Sequence, residues 1–184
     1  MNAPISSFAP GLMAETSAAR VSVAAPVARW SLRARDGLAA LGDTLGLMLP
    51  PRIGQRAAAG EVQVICLGPD EWTLHAPEAL APRIEAGFAA LYATHPHSLV
   101  NVSRRELSLV LEGPRAAELL TLGCARDIDS IAPGEGRRTN FDGVTVLLWR
   151  DGPTRFRMDV WHSFVPHVFH LLDTGCRELA AEPL

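Results

Sequence analysis

The residues most able to do chemistry are scattered along the chain. His162, His167 and His170 lie close together, and on a helix the last two share a face. Metal sites use such pairs only with a third ligand and supporting hydrogen bonds, and no HExxH pattern is present. These three, and His95 and His97 in a loop, therefore read as surface or interface histidines. Ser163 follows His162, but neighbours in sequence rarely present both groups to each other, and there is no GxSxG elbow. Ser163 reads as a helix cap. The lone Gly134-Glu135-Gly136 does not lead from a strand into a helix, so it is not a dinucleotide fingerprint. Arg104-Arg105 and Arg137-Arg138 are suited to carboxylate or phosphate, and also to salt bridges. Cys66, Cys124 and Cys176 lack CxxC spacing. They read as buried thiols of a reducing cytoplasm, not as a disulfide frame or a zinc knuckle.

Composition narrows the chemistry further. All 17 basic residues are arginine. A lysine Schiff base, a pyridoxal-phosphate anchor and a Walker-type loop are thereby excluded. A formal charge of −3 offers no basic excess for nucleic acid. The chain is 48% apolar and 20% charged, which describes a folded globular protein. At 184 residues it suggests one domain. No apolar run approaches a membrane span, and the first residues lack the pattern of a secretory signal.

The elements that must position these residues follow from periodicity. Residues 1–25, rich in Ala, Ser and Pro, are expected to be a flexible tail, with a single α+β domain over 26–184. Residues 28–34 read as a strand, followed by a helix capped by Asp36 with Leu38, Leu41 and Leu45 on one face. Residues 61–67 and 72–75 form a hairpin across Gly68-Pro69-Asp70-Glu71. A helix over 78–93 carries the stripe Ile84, Phe88, Leu91 and Tyr92. The second half begins with strands at 98–103 and 106–112, then a helix after Pro114 with Leu119 and Leu120 inside. Residues 128–138 read as a loop, and 143–150 with 155–161 as a second hairpin. A final helix buries Phe164, Val168, Leu171, Leu172, Gly175 and Leu179. The order suggests two β-α-β-β-α halves, about 28–96 and 97–184, with helices on a mainly antiparallel sheet.

The last hairpin is the most informative segment. Phe156, Met158 and Val160 form one apolar face, with Arg155, Arg157, Asp159 and Trp161 on the other. Residues 144–149 are apolar on both faces. The second face therefore needs cover, from the chain's own helices or from a partner. Trp and Arg are enriched at interfaces, so Trp149, Trp161, Arg155 and Arg157 are the candidate interface residues. No catalytic, cofactor-binding or metal-ligating constellation emerges.

An ordered set of short motifs resembles the gamma subunit family of heterotetrameric sarcosine oxidase. The set comprises Leu67-Gly68-Pro69-Asp70-Glu71-Trp72, Val100-Asn101-Val102-Ser103-Arg104-Arg105 and Leu111-Glu112-Gly113-Pro114-Arg115-Ala116. It continues with Gly123-Cys124-Ala125-Arg126-Asp127-Ile128, Arg138-Thr139 and Val160-Trp161-His162-Ser163-Phe164. The stretch 124–128 departs from the family's usual Cys-Pro-Leu-Asp-Leu pattern, and His162 stands where the family usually has Arg. Val102-Ser103 to Gly113-Pro114 is also similar to the folate-binding part of the glycine-cleavage T-protein. The resemblance implies a T-protein-like fold and a non-catalytic subunit of a cytoplasmic oxidoreductase complex. That complex demethylates sarcosine to glycine, giving hydrogen peroxide and formaldehyde or methylenetetrahydrofolate. It implies alpha, beta and delta partners, with FAD, FMN, NAD, tetrahydrofolate and zinc held by them and none by this chain. A free-standing folate- or anion-binding module, with a pocket near Arg104, Arg105, Arg137 or Arg138, is the alternative.

Overall fold

A computed structural model describes residues 8–182. The strands are β1 (Gly11–Glu15), β2 (Arg20–Val23), β3 (Ala28–Arg33), β4 (Arg56–Ala59), β5 (Val62–Gly68), β6 (Glu71–Ala76), β7 (Ser98–Asn101), β8 (Glu106–Glu112), β9 (Gly136–Phe141), β10 (Val144–Gly152) and β11 (Arg155–Trp161). The helices are α1 (Leu38–Leu45), α2 (Ala81–Leu91), α3 (Ala116–Thr121) and α4 (Val165–Ala181).

The strands form two antiparallel sheets, ordered β1-β2-β8-β11-β10-β9 and β4-β5-β6-β3-β7. Each half runs strand, helix, three-strand meander, helix: β3-α1-β4-β5-β6-α2, then β8-α3-β9-β10-β11-α4. The two halves exchange their leading strands. β2 runs into β3 but pairs with β8, whereas β7 runs into β8 but pairs with β3. The α+β architecture anticipated from the sequence is present, with two sheets in place of one.

Each sheet packs its helices on one face. Val21, Leu109, Phe156, Met158 and Val160 meet Leu119, Val168, Leu172 and Cys176 in one core. Trp30, Leu32, Val64 and Leu74 meet Leu41, Leu45, Ile84 and Phe88 in the other. The spacing explains α4: Val168, Leu172, Cys176 and Leu179 recur on one face, and Pro166 sits in the first turn, where its missing N–H is tolerated. In each half a glycine on the second helix permits close approach of the first. A methyl at Gly87 would lie 2.5 Å from Thr44 of α1, and one at Gly175 only 2.2 Å from Leu122 at the end of α3.

Several expectations need correction. Residues 11–23, expected within the flexible tail, carry β1 and β2, because β8 offers them a free edge. Residues 1–7 lie outside the described residues. β7, assigned to the second half, completes the five-stranded sheet of the first half. Residues 136–138, read as loop, begin β9. Gly37, in a left-handed conformation, stands at the N-cap of α1 in place of Asp36. Ser163 caps nothing with its side chain and lies in a 3₁₀ turn ahead of α4.

Candidate functional site

The inner faces of the two sheets meet, and between them lies a charged layer. Alternation on β11 decides which side chains enter it. Phe156, Met158 and Val160 point to the helices, so Arg157 and Asp159 point to the opposite sheet. Asp159 is 2% exposed. It accepts hydrogen bonds from Ser108 and, at 2.6 Å, from Trp149 Nε1. Arg29 from β3 approaches Asp159 at 3.6 Å and donates to Ser108 Oγ at 2.7 Å. His75 from β6 brings Nε2 to 3.4 Å from Asp159, and its ring lies 4.8 Å from that of Trp149. Burial pushes His75 down to about 4; Asp159 opposes the shift, while Arg29, Arg157 and Arg56 reinforce it. The imidazole is therefore neutral at pH 7.

A second group flanks Trp149. Arg56 and Arg157 place their guanidinium carbons 4.9 and 4.8 Å from its ring centroid, within cation–π range. Both bond Asp151, Arg56 at 2.8 Å and Arg157 at 2.5 and 3.1 Å, and Arg157 reaches Gln63 of the facing sheet at 2.7 Å. Burial pushes the Asp151 carboxyl up, but hydrogen bonds and charge from Arg157, with Arg56, outweigh it and hold the group below the usual range. Ile65 and Leu147 complete the layer.

This arrangement corrects the interface assignment. Trp149 is fully buried against the chain's own second sheet, and Arg157 joins the two sheets. The buried part of the hairpin's second face is covered by the chain's own second sheet, not by its helices. Trp161, by contrast, is 45% exposed, with Arg105 5.2 Å over its ring. Arg155 is exposed and pairs with Glu112. Asp159 and His75 were not singled out from sequence. The signal was there: a two-sided apolar strand beside one alternating apolar with charged residues requires a second layer that neutralises those charges.

The remaining candidates are dispersed. His167 pairs with Asp142 at 2.9 Å. Among the described residues no group of His, Cys, Asp or Glu converges as a metal site would. Burial raises the thiols of Cys66 and Cys176, which makes them poor nucleophiles. A mouth of about 430 Å³ opens from the inter-sheet layer, lined in part by Arg33, Arg105, Arg138, Glu71, Glu106 and Trp161. Arg138 binds Glu71 bidentately at 3.0 and 2.5 Å, Arg33 binds Glu71 at 3.0 Å, and Arg105 binds Glu106. Hydrogen bonds and charge from Arg138, with Arg33, hold Glu71 below the usual carboxylate range. Arg33 also pairs with Asp70 at 3.0 Å, so each arginine that would receive an anion already holds a carboxylate of this chain. No helix of the described residues is long and apolar enough to cross a membrane.

No family model matches the chain. Against curated proteins it is 33% identical over 153 residues to the sarcosine oxidase subunit gamma of Corynebacterium sp. (strain P-1), covering 80% of this chain and 73% of that relative. The chain belongs to the sarcosine oxidase gamma subunit family. The gamma subunits of Corynebacterium sp. (strain U-96), 33% identical over 150 residues, and of Arthrobacter sp., 32% over 148, agree. Among solved structures, a chain of heterotetrameric sarcosine oxidase from Corynebacterium sp. U-96 superposes with a TM-score of 0.82 at 29% identity. The match covers 94% of this chain and 91% of that one. The glycine cleavage system aminomethyltransferase T from Bartonella henselae matches at a TM-score of 0.59 and 16% identity, over 81% of this chain and 44% of that one. At that identity the likeness shows the fold alone.

Proposed function

We propose that the chain serves a heterotetrameric sarcosine oxidase as its gamma subunit, supporting assembly and taking no part in redox chemistry. The observation that carries this reading is the end-to-end superposition on a chain of that complex. The buried Asp159 cluster is consistent with it. Asp159 and His75 are 2% and 3% exposed, and a general acid or base must reach its substrate. They act as a fastener between sheets.

The residues do not fit the cofactors of such an enzyme. A concavity of about 800 Å³ beside α2 offers one carboxylate, Glu85, and no arginine for a phosphate. FAD, FMN, NAD, tetrahydrofolate and zinc are therefore assigned to alpha, beta and delta partners in the cytoplasm. Trp161, with Arg105 stacked on it and Phe164 43% exposed nearby in sequence, is the surface assigned to those partners.

Co-expression tests this. The chain alone is expected to be a colourless monomer, and with the other subunits part of a yellow, sarcosine-oxidising assembly. A stable monomer that never recruits a flavoprotein overturns the reading. Titration with tetrahydrofolate is expected to give no saturable signal, and saturation would favour a folate-binding module instead.

A further inference from the structure

The two sheets match strand for strand until their last position. β9, β10, β11, β8 and β2 of one correspond to β4, β5, β6, β3 and β7 of the other. The first sheet then has a sixth strand, β1, and among the described residues the second has none. The chain order accounts for this. β1 precedes β2, whereas the segment that precedes β7 is α2, so no strand of this chain is left to pair there.

β1 also fills the flank of a helix. Met13 and Ala14 pack on the core beneath α4, and Phe8, just ahead of β1, meets Phe169 of α4 edge-on at 6.3 Å. The corresponding flank of α2 is open. There Tyr92, 61% exposed, borders a groove lined by Ala89, His97 and Leu99.

The β7 backbone is set for pairing. Val102 donates to Arg29 at 2.8 Å, which makes the Arg29–Val102 pair a hydrogen-bonded one. By alternation Val100 bonds β3, while Leu99 and Asn101 turn their N–H and C=O groups to the free edge. An unpaired edge of this kind is a template for another chain.

We propose that β7 accepts an extended segment of a partner subunit as the sixth strand of its sheet, with apolar side chains of that segment lodged against Tyr92 and Leu99. The strand is the counterpart of β1 supplied in trans, an instance of β-augmentation. The groove's charged group is Glu85. Hydrogen bonds from Asn101 and Trp30, at 2.8 and 2.9 Å, hold its carboxyl below the usual range. The segment is thus apolar and extended, and carries an arginine or lysine that meets Glu85. β7 leads within four residues to Arg105, so the edge is continuous with the Trp161 surface. The inference rests on the subunit reading.

The test is amide hydrogen exchange on the full chain, alone and in the co-expressed assembly, together with a Tyr92→Glu variant. The Leu99 and Asn101 amides are expected to exchange at least tenfold more slowly in the assembly. Tyr92→Glu should leave the melting of the free chain unchanged and cut co-purified partner at least tenfold, while Tyr92→Phe restores it. If the assembly forms with those amides unprotected, or with Tyr92→Glu recruited normally, this inference is wrong and the subunit reading stands. If the wild-type chain recruits no partner, both fail. A free chain that is already a dimer with β7 protected would put a second copy at the edge and overturn the partner assignment.

Discussion

The two outer cores and the inner layer of this molecule are built on opposite principles. Beneath the helices, Trp30, Phe88, Phe156 and Met158 sit in clusters made mainly of apolar side chains. Between the sheets, three arginines, two aspartates and a neutral histidine surround Trp149. Apolar burial is non-directional and stabilises each helix-on-sheet half whatever its fine register. Charge-assisted hydrogen bonds act only in one geometry, so the inner layer fixes how one half sits on the other. The difference teaches that adhesion and alignment have been assigned to separate layers.

Trp149→Ala should break the comparison most visibly. It removes a fully buried ring from between the sheets and leaves an oxygen of Asp159 without its donor. A loss of about 4–5 kcal/mol is expected in urea unfolding. Phe88→Ala, confined to one outer core, should cost about 3–4 kcal/mol. If alignment belongs to the inner layer, only the Trp149 variant should separate unfolding into two transitions. A single transition in both would show that the outer cores also couple the halves.

Acid should attack the inner layer first. His75 titrates near 4 when folded and near its ordinary 6.5 when unfolded. Between those values the unfolded chain binds the extra proton, so stability is lost as pH falls from about 6.5 to 4, by about 3 kcal/mol. The depressed carboxyls of Asp151 and Glu71 add a further loss at lower pH, as they take up protons. His75→Leu should flatten the curve between pH 6.5 and 4; a curve as steep as the wild type's would remove His75 as its cause.

Smaller effects sharpen the picture. Gly175→Ala should cost about 1–3 kcal/mol, because the added methyl meets Leu119 and Leu122 where α4 crosses α3. Trp161→Ala should change the melting of the free chain by less than about 0.5 kcal/mol while reducing recovery of partner subunits. A large stability loss there would place Trp161 with Trp149 as structural.

Residues that alternate strongly were legible in the sequence. β5, β6, β10 and β11 and the stripes of α2 and α4 stand close to where periodicity placed them, except at the stripe ends, where Tyr92 and Phe164 lie outside the helices and are exposed rather than buried. β4, with three alanines, and β9, with two arginines, carry too little β preference to be seen locally. β1 and β2 exist because a distant strand, β8, presents them an edge, and no local pattern reports a distant partner. The same limit hid the inner layer. The pattern of 144–161 demanded a second cover but could not say that β5 and β6 supply it.

Because the leading strands are exchanged, the order of synthesis matters. Residues 11–23 leave the ribosome well before their partner β8, which is made only after the whole β3–β7 sheet. That sheet can close while the chain is still growing, since domains tend to form from the N-terminus during translation. Its charged inner face then waits in water, where Arg29 and His75 are solvated at no cost, until β11 delivers Asp159. Nascent chains stalled soon after residue 105 has emerged should resist protease over residues 28–101 and be cut within 11–23.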